Sequence, residues 1–288
     1  MKCNLCPRQC NADRENSLGF CKSPLSPKVA RANLHFWEEP IISGQNGSGT
    51  VFFSGCSLKC IYCQNYEISQ GSIGKEISVD RLAEIFKELE HRGAHNINLV
   101  SPTHYILAII EALKIYRPKI PIVYNSSGYE TVEALKKLEN FIDIYLIDFK
   151  YTDSERAGEY SFAPDYPETA KKAIAECYRQ KRDCIIENGI MKKGVIVRHL
   201  VLPQNTKTAL EVADWVKQNT PNAYFSIMSQ YLPCADAVNH KILGRKITQR
   251  EYDKVVNYIC DIGLKNVFIQ EMGSSNKAFV PDFDLSGV

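Results

Sequence analysis

Val51-Phe52-Phe53-Ser54-Gly55-Cys56-Ser57-Leu58-Lys59-Cys60-Ile61-Tyr62-Cys63 is the stretch on which the reading of this chain turns. The apolar, β-prone run at its start reads as a strand, and the glycine after it as the break into a loop. Three cysteines then fall in quick succession, separated by three and by two residues. A structural zinc needs a closed set of four ligands, and the nearest histidines, His35 and His91, stand at no zinc spacing. A disulfide would use two of the three thiols and strand the other. Three thiolates with a fourth corner left open suit an iron–sulfur cluster, for which cysteine is the usual ligand. An open iron is a place where an outside ligand can bind and react.

Outward from this loop, strand-like and helix-like segments alternate. Apolar runs at 50–54, 96–100, 120–124, 142–147, 195–202, 224–228 and 266–269 read as strands. Segments 79–92, 132–138, 168–180, 209–218 and 250–262 have helical period; in the first of them Leu82, Ile85, Phe86 and Leu89 share one face. Near-continuous apolar strands between helices predict a parallel sheet covered on both faces or closed into a barrel. In such α/β folds the site gathers where the strands end. The residues at those ends are polar: Ser101 to His104, Asn125 to Tyr129, Asp148 to Lys150, Pro203-Gln204, Ser229 to Tyr231 and Gln270-Glu271.

The chain has 288 residues, 44% hydrophobic and 24% charged, with a net charge of +2 from 35 basic and 33 acidic residues. That balance gives no support to a nucleic-acid or anionic-membrane partner. The amino terminus has no apolar signal region and no later stretch is apolar for long enough to span a bilayer, so a cytoplasmic location is expected. Eleven cysteines are many for a reducing compartment, and their clustering reads as metal ligation rather than disulfides.

The cysteine spacing, with an aromatic residue before the last cysteine, resembles the signature of the radical S-adenosylmethionine (SAM) superfamily. More narrowly it is similar to pyruvate formate-lyase activating enzyme and its uncharacterised relatives. Tyr62-Cys63-Gln64-Asn65, Asn125 to Tyr129, Asp148-Phe149-Lys150 and Val197 to Pro203 resemble segments of that family, over roughly residues 50–230. The resemblance implies a partial (β/α)6 TIM-like barrel over 50–288 and a [4Fe–4S] cluster on Cys56, Cys60 and Cys63. It implies SAM bound through Tyr62, Gln64, Asn65, Ser101, Thr103, His104, Asn125, Ser126, Asp148, Lys150 and Arg198. The implied reaction is reductive cleavage of SAM to a 5′-deoxyadenosyl radical that takes hydrogen from a substrate, an oxidoreductase chemistry. An electron donor such as flavodoxin or ferredoxin, and a protein substrate such as a glycyl radical enzyme, are its implied partners. The chain departs from the family in having Gln64 for a histidine, Asn125 for an aspartate, and Ser101-Pro102-Thr103-His104 where a Gly-Gly-Glu carboxylate accepts from the methionine amino group. A non-catalytic iron–sulfur or zinc protein is the competing reading.

Residues 1–49 read as an irregular cysteine-rich, metal-binding extension ending in the turn-rich Gly44 to Gly49. Cys3, Cys6, Cys10 and Cys21 make a second set, closed at four thiols and suited to zinc or to a fully ligated iron–sulfur cluster. Cys177 and Cys260 lie in helical patterns and read as small core residues. Cys234 follows a strand end. His199, inside an apolar strand, reads as packed and hydrogen-bonded. Trp37 and Glu38-Glu39 either pack the extension onto the barrel or reach the site.

Overall fold

The computed structural model describes residues 2–273 and 280–288. Its strands are β1 (Lys28–His35), β2 (Ser48–Phe53), β3 (Lys75–Glu76), β4 (Ile97–Val100), β5 (Ile122–Ser126), β6 (Ile144–Asp148), β7 (Ile185–Glu187), β8 (Ile190–Leu200), β9 (Tyr224–Met228) and β10 (Val267–Ile269). The helices are α1 (Pro40–Ser43), α2 (Tyr66–Ser69), α3 (Val79–His91), α4 (Ile106–Ile115), α5 (Val132–Leu138), α6 (Ser154–Ser161), α7 (Tyr166–Gln180), α8 (Thr206–Asn219) and α9 (Gln249–Asp261).

One sheet runs in the order β10-β9-β8-β6-β5-β4-β2-β1-β3, with β7 paired to β8. From β2 to β10 every neighbour along this path is parallel. Among the described residues its ends do not pair with each other, so the sheet is open: a partial barrel with helices between its strands.

The helical faces pack as their periodicity demands. On α3 the buried residues are Leu82, Ala83, Ile85, Phe86 and Leu89, and its first turn is capped by the Ser78 hydroxyl, which accepts from the Arg81 N–H at 3.1 Å. Helix α9 starts with a capping box between Thr248 and Glu251. Removing a fully buried side chain such as Phe86 from water stabilises the fold by about 1.5–3 kcal/mol.

The extension is less irregular than its composition suggests. Strand β1 pairs antiparallel with β2, placing Asn33 opposite Thr50 and Leu34 opposite Gly49. The carboxyl-terminal tail bonds to β1 in turn, Ala32 N–H to Ser286 at 2.9 Å and Leu285 N–H to Ala30 at 3.1 Å. The polar Arg31, Asn33 and His35 hide this strand from a reading based on apolar runs: Arg31 and Asn33 bond to the tail, and His35 stands edge-on to Phe52 beside the outer cavity. Ahead of β1, the buried Arg14 docks the first segment onto the barrel: its guanidinium donates to the carbonyls of Ser23, Pro24 and His104.

Gly55 is needed where it stands. It has φ of +88°, and a Cβ there would fall 2.0 Å from Ser23 Oγ and 2.6 Å from the Cys21 carbonyl. The loop of Cys56, Cys60 and Cys63 therefore leaves β2 pressed against the amino-terminal cysteine segment.

Candidate active site at the carboxyl edge of the sheet

Parallel strands end on one edge, so the groups after them converge. Asp148 on β6, Arg198 on β8 and Ser226 on β9 are register partners across three adjacent strands. Arg198 Nε donates to Asp148 Oδ1 at 3.0 Å, Nη1 to Glu38 Oε2 at 3.1 Å and Nη2 to Asn125 Oδ1 at 2.6 Å. Lys150 Nζ meets the other Asp148 oxygen at 2.6 Å. The second oxygen of Glu38 accepts from Asn98 at 2.9 Å and Asn125 at 3.1 Å.

Burial alone would push the Asp148 carboxyl up. Lys150 and Arg198 outweigh it and hold the group below the usual carboxylate range. Burial likewise works against the Lys150 cation, and Asp148 with the Cys60 sulfur together outweigh it. Both cations and Asp148 therefore stay charged in a site mostly closed to water. Glu39, one residue on from Glu38, is pushed up by burial, with Arg198 opposing.

Above this network lie two cavities that share lining residues. The inner one, about 140 Å³, is bounded by Cys56, Cys60, Cys63, Asn65, Ser101, Ser126, Asp148, Lys150 and Arg198 among others. The outer one, about 230 Å³, adds Trp37, Glu38, Tyr62, Gln64, Met228 and Gln230. Cys60, Cys63, Asn65, Asn125, Asp148, Lys150 and Arg198 border both.

The three cysteines are dressed by local donors. The Leu58 N–H points at Cys56 Sγ at 3.4 Å, Ser161 Oγ donates to Cys60 Sγ at 3.0 Å, and Ser69 Oγ lies 3.3 Å from Cys63 Sγ. Behind Ser161 a chain of hydroxyls runs to Tyr151 at 2.7 Å and on to Tyr62 at 2.6 Å. Burial, reinforced by the neighbouring cysteines, pushes the Cys56 thiol up to about 12 and Cys63 up to about 11. Three half-buried sulfurs around one cavity are poor free thiolates; a bound cationic cluster would take the place of their protons. The donor set fits a thiolate-ligated iron–sulfur group.

Nine of the eleven residues expected around the cofactor line these cavities. Thr103 and His104 do not. After β4 the backbone turns sharply, with Ser101 at φ 56°, into a 3₁₀ turn over Thr103–Tyr105 that buries both side chains away from the cavities. Thr103 donates to Glu130 at 2.6 Å. The His104 ring meets the Ser54 carbonyl at 2.8 Å, and burial pulls its pKa down to about 3. His199 is packed as expected, its ring 2.7 Å from the Phe149 carbonyl. Cys177 is buried, but Cys260 is exposed, lying on the solvent side of α9. Gln230 lies among the polar strand-end residues, as its position predicts, whereas Asn98, Ser161 and Met228 carry no signal in the sequence; each is an isolated polar or flexible residue with no motif around it.

A family model described as the radical SAM superfamily matches residues 50–216. The chain belongs to the radical SAM superfamily. Membership brings SAM and an iron–sulfur cluster as the expected cofactors. An uncharacterised protein of Methanocaldococcus jannaschii, MJ0674, is 32% identical over 265 residues, 88% of this chain and 73% of that protein. Among solved structures, Streptococcus suis SuiB bound to SAM superposes with a TM-score of 0.53 at 15% identity, covering 79% of this chain. SuiB bound to its precursor peptide SuiA gives 0.53 at 14% identity over 76% of this chain. The chain spans about half the length of SuiB, 50% and 47% in the two structures, and this likeness shows a shared fold. No helix among the described residues is long and apolar enough to cross a membrane.

Proposed function

We propose that this chain holds a [4Fe–4S] cluster on Cys56, Cys60 and Cys63, binds SAM beside it, and initiates hydrogen abstraction from a polypeptide substrate. The observation that carries the reading is the inner cavity, which Cys56, Cys60 and Cys63 line together with Asp148, Lys150 and Arg198. When bound, the cluster and SAM supply one-electron cleavage of the sulfonium and a 5′-deoxyadenosyl radical.

The protein's part is binding, orientation and exclusion of water. Glu38 and Asp148 offer carboxylates, Lys150 and Arg198 cations, all within one hydrogen-bonded network. A ligand carrying both an amino group and a carboxylate finds partners for each. Gln64 is held toward the outer cavity by its bond to the Gln230 carbonyl at 3.1 Å.

A groove of about 680 Å³ leads away from Cys63 and Gln64, lined by Tyr66, Leu232, Pro233, Cys234, Pro281 and Phe283. Its lining, with apolar residues from three separate segments and the carboxylates Glu67, Asp282 and Asp284 among them, offers a peptide contacts for both side chains and backbone. SuiB, described with a bound precursor peptide, shares the fold. Activation of a glycyl radical enzyme is one form such a reaction takes, with a flavodoxin or ferredoxin as donor in a reducing cytoplasm.

The test is anaerobic reconstitution with iron and sulfide, reduction, and addition of SAM. Methionine and 5′-deoxyadenosine are expected. A fully loaded, reduced protein that forms neither sinks the reading.

A further inference from the structure

The four amino-terminal cysteines are a second metal-binding set in their local geometry as well as in their spacing. After Cys6 the chain turns tightly, the Gln9 N–H bonding to the Cys6 carbonyl at 3.1 Å. The same three-residue turn occurs from Cys60 to Cys63, whose N–H bonds to the Cys60 carbonyl at 3.2 Å, in the loop where the superfamily holds its cluster. The turn is built at some cost, since Gln9 and Asn11 both have positive φ, 41° and 53°. It folds the chain back on itself, with Cys3 N–H bonded to Ala12 at 2.9 Å and Asn11 N–H to Cys3 at 3.2 Å. Across the fold, Cys10 and Cys21 sulfurs lie 3.1 and 3.7 Å from where a Gly19 Cβ would stand.

Charge points the same way. Arg8 Nη2 and Lys59 Nζ are buried without a hydrogen-bond partner. Both cations sit on the Phe20 ring, 4.1 and 5.3 Å from its centroid, beside the Cys21 backbone. Buried cations call for nearby negative charge. Four thiolates on a divalent zinc, or on an iron–sulfur core of equal charge, leave two negative charges to meet them.

We propose that Cys3, Cys6, Cys10 and Cys21 bind a second metal centre through four thiolates, balanced by Arg8 and Lys59. Soft thiolate ligands take either zinc or an iron–sulfur cluster. Among the described residues no three His, Cys, Asp or Glu side chains yet close on one point as a single bound ion requires, and that is equally true of Cys56, Cys60 and Cys63. Closure at the amino terminus falls to Cys3 and the exposed Cys10, because Cys6 and Cys21 are already buried. The centre lies against the catalytic loop: Arg8 Nε donates to the Ser57 carbonyl at 2.8 Å, between Cys56 and Cys60. This inference is independent of the reaction and substrate proposed above.

Its test removes the first cluster and reads metal, not turnover. Full-length protein carrying Cys56→Ala, Cys60→Ala and Cys63→Ala is reconstituted anaerobically with iron and sulfide, or separately with zinc, then desalted. Retained iron with matching acid-labile sulfide, or retained stoichiometric zinc, supports the site and names its metal. Adding Cys10→Ser, at an exposed position, is expected to release that metal while the circular dichroism spectrum is kept. Arg8→Gln in the same background is expected to weaken metal affinity about tenfold, as loss of an outer-shell partner does. A folded triple variant that retains neither metal overturns the proposal, and so does metal retention unchanged by Cys10→Ser.

Discussion

Glu38 and Arg198 stand 160 positions apart in the chain and meet at 3.1 Å between Oε2 and Nη1. The contact ties the segment ahead of the parallel strands to the middle of the sheet. Both side chains are largely buried, so removing one leaves the other's charge short of a partner. Arg198 keeps Asp148, which limits the loss. Glu38→Ala is expected to destabilise the fold by roughly 2 kcal/mol, the scale of hydrogen bonds to charged groups. Urea unfolding of Glu38→Ala in the wild-type and Arg198→Met backgrounds reads the coupling. Equal costs in the two backgrounds would show that the pair does not interact.

Ser161 Oγ donates to Cys60 Sγ at 3.0 Å, and nothing in the sequence marked it. Hydrogen bonds to cluster sulfurs are among the factors that set the potential of an iron–sulfur centre, because they stabilise the extra electron. Ser161→Ala is expected to move the midpoint of the Cys56/Cys60/Cys63 cluster to more negative values while iron and sulfide content stay unchanged. A spectroscopic redox titration reads the shift. An unmoved midpoint in a fully loaded variant would remove Ser161 from this role.

How much of this was legible follows from where each residue's signal lay. The parallel strands are legible because both their faces are buried, which leaves unbroken apolar runs such as Ile144 to Ile147. Cys56, Cys60 and Cys63 announced themselves by spacing, and Asp148 and Lys150 by following a strand. Strand β1 was missed because one side of it meets the polar tail rather than a helix, so its pattern lacks an apolar run. Thr103 and His104 read as site residues because they follow β4 in sequence. The positive φ of Ser101 turns them inward, and a backbone torsion at a serine leaves no trace in composition. Glu38 carries no local pattern for its role, because its partner Arg198 is far along the chain.

Asp148 is the hinge of the charged wall, bonded to Lys150 at 2.6 Å and to Arg198 at 3.0 Å. Asp148→Asn keeps the shape and removes the charge that sustains both cations. The cluster ligands are untouched, so iron content is expected to stay constant while SAM affinity falls by about tenfold, or ~1.4 kcal/mol. Calorimetric titration of the reconstituted protein measures it. Wild-type affinity in the variant would take Asp148 out of the cofactor site.

Glu130 supplies a pH dependence of known sign. It is buried, with Thr103 donating to one carboxyl oxygen at 2.6 Å and Tyr124 to the other at 3.2 Å. Burial pushes its pKa from 4.5 up to about 7, and the hydroxyl donors recover only part of the cost of ionisation. Between those two values the folded protein holds a proton that the unfolded chain has lost. Stability from this group therefore falls as pH rises through the window and levels off above about 7. The full change is roughly 3 kcal/mol. Glu130→Gln is neutral at every pH and should escape it. The stability of Glu130→Gln minus that of wild type is expected to be about 2–3 kcal/mol more favourable at pH 8 than at pH 5, read by urea unfolding. Other titrating groups cancel in that difference, so a value independent of pH would mean that Glu130 does not ionise at a raised pKa.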